Sequence, residues 1–351
     1  MSEVVRAALA KVMAGGSLAS DEAHAVMDSV MEGEATPAQL AGLLIALRLR
    51  TETVDELHGF ALAMRQRVVR VSAPDGAIDT CGTGGDRSGT FNISTAAAIT
   101  AAAGGVPVAK HGNRALTSRA GSADVLEALG VRIDLGPEDA SVALGRDGFA
   151  FLFAPSYHPA MRHAGPVRRE LGVPTAFNLL GPLTNPAGVR RQVMGVADPT
   201  AADRIAHVLH RLGVERALVV NGDGLDELPL DGSGVIRDVS AEGVRSHRVD
   251  PAQLGLRVTH RDSLRGGSAA DNADTIERIF DGEQGHQRDV VLLNAAAALM
   301  AAGRATDLRD GVEMAAAIID RGHATAMLKR LRVPAPAAND ATTAHTAGGA
   351  A

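Results

Sequence analysis

The feature that most constrains this chain is a change of pattern at Val71–Gly76, "VSAPDG". Before it, only helices are legible. Ser20 followed by Asp21 and Glu22 reads as an N-cap with acids in the first turn. Thr36-Pro37 sets a cap before a proline at the first helical position. Thr53-x-x-Glu56 is a capping box that opens a helix over Val54–Val69. After the Pro-Asp-Gly hinge, short β-like runs alternate with Ala-rich helical runs. The pattern predicts strands over Ala77–Thr80, Val106–Ala109, Val131–Asp134, Ala150–Phe153, Gln192–Val196 and Ala217–Asn221. It predicts closing helices over Val290–Ala302 and Arg309–Lys329. Parallel neighbours need long crossovers, so such alternation implies a mostly parallel central sheet flanked by helices. The expected fold class is α/β: a small all-α domain over 1–71 and a larger α/β domain over 72–333. The tail from Pro334, residues 334–351, is low in complexity and is expected to be disordered.

Composition agrees with helices packed on a parallel sheet. Apolar residues make up 46% of the 351, yet aromatics are only 2%, too few for an aromatic-rich sandwich. The net charge of −6 and the lack of a basic stripe argue against non-specific nucleic-acid binding. A single cysteine, Cys81, cannot form an internal disulfide, which points to the cytoplasm. The first residues show no secretory pattern. The apolar stretches Thr95–Gly105 and Val290–Gly303 are too short to span a bilayer, so no membrane partner is expected.

The chemistry concentrates at predicted strand ends, where ligands of open α/β sheets bind. Gly82-Thr83-Gly84-Gly85-Asp86 follows the first strand, and its glycines let backbone N–H groups approach an anion. It is neither a Walker A loop nor a dinucleotide fingerprint. Asp86 would repel a phosphate, so it suits a sugar hydroxyl or a nearby metal. Asn92-Ile93-Ser94-Thr95 opens a helix and could hold an anion there or simply cap it. Lys110, His111, Asn113, Arg114, Ser118 and Ser122 crowd together after the second strand, a donor density suited to a polyanion. His158, Arg162, His163, Arg168 and Arg169 follow the strand at Ala150–Phe153. A helix begun by Pro159 would put Arg162 and Arg169 on one face and Arg168 elsewhere. An Arg aimed at the cleft could grip a carboxylate. "FNLLGPLTNPA", Phe177–Ala187, reads as a rigid buried turn. Asp226 and Glu227 are adjacent carboxylates in a loop, a set that binds Mg²⁺ when phosphates complete the shell. Together these describe a site for a sugar diphosphate with magnesium.

In order and spacing, "GTGGD", "NIST", "KHGNR" with "GSADVLEALG", "NLLGPLTNPA" and the later "DE" pair resemble the anthranilate phosphoribosyltransferase family. The resemblance runs from the N-terminal helices to about Leu331. It implies an active site in the cleft between the two domains, with a mid-chain segment of about 168–186 packing on the small domain. It also implies a homodimer that pairs through the small domain. The implied substrates are anthranilate and 5-phosphoribosyl 1-diphosphate, and the implied cofactor is Mg²⁺, about two per active site. By the same resemblance, Gly82, Gly85, Asp86, Thr90, Asn92, Ser94, Thr95, Lys110, Asn113, Arg114, Ser118 and Ser122 bind phosphoribosyl diphosphate. Gly82, His111, Asn113, His158 and Arg168 meet anthranilate, and Ser94, Asp226 and Glu227 ligate the metal. Lys110, His111 and Arg168 carry the catalytic roles. Either His111 or the ortho carboxylate of the substrate takes the amine proton. Met161 stands where some members have an aromatic residue. The alternatives are a pyrimidine nucleoside phosphorylase, with no need of the Asp226-Glu227 pair, and a non-catalytic nucleic-acid-binding relative, which would need a basic groove.

Overall fold

The computed structural model describes residues 1–86, 88–115, 119–222 and 224–332. Ser118 and the 334–351 tail lie outside the described residues. Helices Glu3–Met13, Ser20–Met31, Pro37–Arg50 and Val54–Arg67 form the first part of the chain. The cap predicted at Thr36 and the capping box predicted at Thr53 both form, each hydroxyl accepting an N–H at the third helical position, and Gln39 makes Thr36 a capping box as well. Ser20 does not cap. The cap position is Ala19, and the Ser20 hydroxyl is 2.7 Å from His58 Nδ1.

The remainder is a seven-stranded sheet of order β3-β2-β1-β4-β5-β6-β7. Its strands are β1 Ile78–Gly82, β2 Val108–Gly112, β3 Phe149–Phe153, β4 Arg191–Gly195, β5 Arg216–Asn221, β6 Val235–Ser240 and β7 Gly243–Arg248. Strands β1 to β5 pair in parallel, whereas β6 and β7 are antiparallel. The order reverses beside β1, whose neighbours are β2 and β4, the switch point at whose carboxyl ends open α/β sheets bind their ligands. Alternation along the strands divides the core between the two faces. Val193, Leu218 and Val220 pack with helices Ile93–Ala103 and His286–Ala301. Met194, Ala217 and Val219 pack on the other face with helix Pro199–Arg211, in a cluster that includes the N-terminal helices. Phe177, Leu180 and Leu183 join that same cluster, and Arg65 Nε donates to the Leu183 carbonyl at 2.6 Å.

Several predicted elements differ from those observed. Val131–Asp134 is not a strand. Val131 makes an isolated bridge to Arg332, and the alternation reflects burial of Val131 and Ile133 at the sheet's flank without a ladder. The sequence pattern does not predict the hairpin β6–β7, because β7 is an exposed polar edge with no apolar alternation. Nor does it predict helix Ala269–Phe280, although the Ser268–Asp271 capping box is readable. The last predicted helix is two, Leu308–Asp320 and His323–Leu331, separated where Gly322 adopts φ +72°.

Candidate functional site

The carboxyl ends of β1, β4 and β5 meet at Asp226. Gly82 and Gly195 are register partners at the ends of β1 and β4. A Cβ at Gly82 would stand 2.3 Å from Asp226 Oδ2, and one at Gly195 only 1.6 Å from the Asp226 carbonyl oxygen. The loop after β5 therefore folds back over both strand ends, and at Gly195, where backbone stands in the way, only glycine fits. Asp226 Oδ2 accepts the Gly84 N–H at 2.8 Å, and Thr83 N–H donates to the Gly195 carbonyl at 2.9 Å. Sequence reasoning misses Gly195, although a glycine closing a strand is itself a sign of close backbone approach. We expect Gly195→Ala to destabilise the protein by about 3 kcal/mol or more, since backbone must shift to admit the methyl group. Denaturant unfolding checks this; a loss below about 1 kcal/mol would contradict the packing described.

Glu227 Oε1 accepts the Ser94 N–H, 3.0 Å, at the start of helix Ile93–Ala103. Asn92 does not cap that helix. Its amide instead faces Asn272 Nδ2 at 2.9 Å and the Ala120 carbonyl at 3.3 Å. Burial and neighbouring charge raise both carboxyls: Asp226 to about 7, with Asp86 opposing its ionisation, and Glu227 to about 8, with Asp226 opposing it. Two crowded carboxylates and the Ser94 hydroxyl form an all-oxygen set that lacks a full counter-charge, which fits a hard divalent cation. Among the described residues, no three His, Cys, Asp or Glu side chains converge as a closed metal cage. A metal held here would draw further ligands from a bound anion or water.

Lys110, on β2, is buried and points under the same loop. Its ammonium donates to the Thr80 carbonyl at 2.5 Å and lies 3.5 Å from Ser94 Oγ. Burial lowers its pKa, while Asp79, Glu227 and Asp226 favour the charged form. Gly84, Gly85 and Gly89 all have positive φ, which keeps the loop open where side chains would bar an anion. Asp86 accepts the Ser88 N–H at 3.2 Å, and Thr90 Oγ1 lies 3.1 Å from Ser88 Oγ. The Thr95 hydroxyl is buried and has no hydrogen-bond partner among the described residues. Arg114 is exposed and engaged by Asp124 and Glu127 at 2.8–3.0 Å, so gripping an anion would require releasing those acids. Asn113 is exposed, and the hydroxyl of Ser122 is 3.4 Å from its carbonyl.

On the other side of the cleft, residues 159–171 are not one helix. A 3₁₀ turn, Pro159–Arg162, precedes a separate helix, Gly165–Leu171, restarted at Gly165-Pro166. The expected shared face of Arg162 and Arg169 is therefore lost. Both are exposed, whereas Arg168 is half-buried with its guanidinium 5.1 Å from the Phe177 ring centroid. Among the described residues, Arg168 has no hydrogen-bonding or ion-pairing partner for its side chain. Burial without a counter-charge lowers its pKa. His111 and His158 lie close, Nε2 to Nε2 3.2 Å and ring centroids 5.1 Å apart. Burial pushes His111 down to about 3 and His158 down to about 4, so both are neutral near pH 7.

That neutrality has a testable cost. Both folded values lie below the ordinary 6.5, so between about pH 6.5 and 4 the unfolded chain binds more protons. The stability these rings permit is complete above pH 6.5 and is lost as pH falls. We expect His158→Phe to reduce the stability difference between pH 7.5 and pH 5 by about 2 kcal/mol, at about 1.36 kcal/mol per pKa unit. An unchanged difference in denaturant unfolding would contradict the neutral pair.

Two family models cover the chain. Residues 6–68 match a glycosyl transferase family helical bundle domain, and residues 74–325 match a glycosyl transferase family a/b domain. The anthranilate phosphoribosyltransferase of Pelotomaculum thermopropionicum is 52% identical over 330 residues, spanning 93% of this chain and 96% of its own. That of Symbiobacterium thermophilum is 51% identical, spanning 93% and 97%. The crystal structure of anthranilate phosphoribosyltransferase from Thermus thermophilus superposes with TM-score 0.87 at 46% identity, covering 92% of this chain and 98% of that one. The Saccharomyces cerevisiae enzyme in complex with PRPP and Mg superposes with TM-score 0.85 at 25% identity, covering 94% and 97%.

Proposed function

The chain belongs to the anthranilate phosphoribosyltransferase family, and on that premise we propose that its cleft joins anthranilate to 5-phosphoribosyl 1-diphosphate (PRPP). The products are N-(5-phosphoribosyl)anthranilate and diphosphate, in tryptophan biosynthesis. The observation that carries this reading is the convergence of Asp226, Glu227, Ser94 and Lys110 on the glycine loop at the sheet's switch point.

A C–N bond forms at the anomeric carbon as the C–O bond to diphosphate breaks, and the proton leaving the amine passes to the ortho carboxylate of anthranilate or to His111. Gly82, Gly85, Asp86, Thr90, Asn92 and Ser94 line the phosphoribosyl side, where the positive-φ Gly85 lets the backbone approach phosphate. Lys110 stabilises the negative charge that grows on the departing diphosphate. Magnesium, about two ions per site, would be held by Asp226, Glu227 and Ser94 and would neutralise the same charge. Arg168 takes the anthranilate carboxylate in its guanidinium fork, which positions the amine. The neutral His111 and His158 line that approach and supply hydrogen bonds without charge.

Val4, Met13 and Leu49 are exposed apolar side chains on the N-terminal helices. They support a homodimer that pairs through the helical domain. Cys81 is buried and unpaired, in keeping with a cytoplasmic enzyme. No described helix is long and apolar enough to cross a membrane.

Mixing the protein with Mg²⁺, PRPP and anthranilate should deplete anthranilate fluorescence. Unchanged fluorescence, together with phosphate-dependent cleavage of thymidine or uridine, would instead identify a nucleoside phosphorylase.

A further inference from the structure

Asp79 is a fully buried carboxylate to which the mechanism above gives no task. It sits in mid-β1, and both of its oxygens are engaged. Oδ1 accepts the backbone N–H of His111 at 3.1 Å, and Oδ2 accepts Asn185 Nδ2 at 2.8 Å. The same amide nitrogen of Asn185 donates to the Ala109 carbonyl at 2.8 Å, and Asn185 Oδ1 accepts the Ala187 N–H at 2.8 Å. Asn185 therefore uses both N–H groups and its oxygen within one buried cluster. Its position in the chain matters. It closes the segment that carries Arg168, Phe177 and Gly181, just before the chain returns to β4. Two further ties cross this seam: Val69 N–H donates to the Tyr157 carbonyl at 2.9 Å, and Val71 N–H to the Pro186 carbonyl at 3.1 Å.

The backbone of His111 is bound by Asp79, and its ring meets that of His158, Nε2 to Nε2 at 3.2 Å. Next to it in sequence, Lys110 feels the Asp79 charge. We propose that Asp79 and Asn185 are a positioning pair, a buried pin that fixes the Arg168-bearing segment against the strand ends carrying Lys110 and His111. Neither residue touches a substrate. The pin sets the distance between the carboxylate-gripping arm and the diphosphate-binding arm, and misplacement of about 1 Å at a reacting centre lowers rates about 100-fold. The catalytic consequence rests on the function proposed above; the mechanical coupling does not.

The test therefore has two independent readouts. The first is amide hydrogen exchange of substrate-free protein, which needs no turnover. Asn185→Ala should accelerate exchange at the His111 N–H at least tenfold, although position 185 makes no contact with that group. Unchanged exchange at His111 would overturn the pin. The second readout is kinetic, on protein shown to be folded by circular dichroism. Asn185→Ala and Asp79→Asn should each lower kcat about 10- to 100-fold while KM for PRPP moves less than threefold. The exchange variant Asp79→Asn/Asn185→Asp restores a donor facing an acceptor and should recover at least threefold over the worse single variant. Single variants that retain kcat, or an exchange variant that recovers less than threefold over the worse single, would overturn the pairing. If the parent protein shows no anthranilate turnover while His111 exchange still accelerates, the proposed function fails and the pin stands.

Discussion

Replacing Asp226 by Asn together with Glu227 by Gln should lower Mg²⁺-dependent turnover about 1000-fold or more, and should stabilise the metal-free protein above pH 8. The first effect follows from removing both carboxylates proposed as magnesium ligands. The second follows from the raised values of about 7 and about 8. Ordinary carboxyls lie near 3.8 and 4.5, so between about pH 4 and 8 the folded protein binds more protons than the unfolded chain. Stability linked to these groups is complete below pH 4 and is lost as pH rises through 7 and 8. The neutral isosteres do not ionise and escape that loss. At pH 8.5 without metal, the variant should melt a few degrees above the parent, at about 2–4 °C per kcal/mol. At pH 5 the gap should narrow. Adding Mg²⁺ and PRPP should raise the parent's Tm and leave the variant's nearly unmoved. A variant that keeps normal Mg²⁺ dependence would remove the pair from the metal site.

Arg168→Ala should reduce kcat/KM for anthranilate about 100-fold, with KM for PRPP within about twofold of the parent. The side chain is half-buried over Phe177 and carries no partner among the described residues, so its charge is poised for a carboxylate that arrives from outside. Truncating one member of a buried charged pair costs about 2–5 kcal/mol. Arg168→Lys should recover little, because a point-charge ammonium cannot reproduce the planar fork. Stability should fall by about 1 kcal/mol at most, since the Phe177 contact is lost but no internal ion pair is. An unchanged kcat/KM for anthranilate would refute the carboxylate role.

Local signals make much of this architecture legible. Thr36 and Thr53 announce their helices because capping is decided within four residues. Strands β1 to β5 are legible within two residues of their starts, because buried parallel strands read as short apolar runs. The glycine loop, Lys110 and the Asp226-Glu227 pair stand out because each is a compact cluster at a strand exit. What is not legible depends on contacts across the fold. Gly195 matters only because a loop some thirty residues later lies on it. Asn185 reads as part of a rigid turn, and its partner Asp79 lies 106 positions away. The expected placement of Arg168 relies on a helix that Gly165-Pro166 interrupts. Arg114 resembles a phosphate ligand by composition, and only the fold reveals Asp124 and Glu127 holding it. Edge strand β7 escapes notice because solvent, which covers most of it, imposes no pattern.

In the proposed function, loss of diphosphate from PRPP is coupled to capture of the anthranilate amine, with metal at Asp226 and Glu227. The most direct measurement follows the reaction by phosphorus NMR and anthranilate fluorescence together, across a Mg²⁺ titration. One diphosphate should be released per anthranilate consumed, with both rates rising together with Mg²⁺. Diphosphate release without anthranilate loss, or anthranilate loss unaffected by removing Mg²⁺, would contradict it.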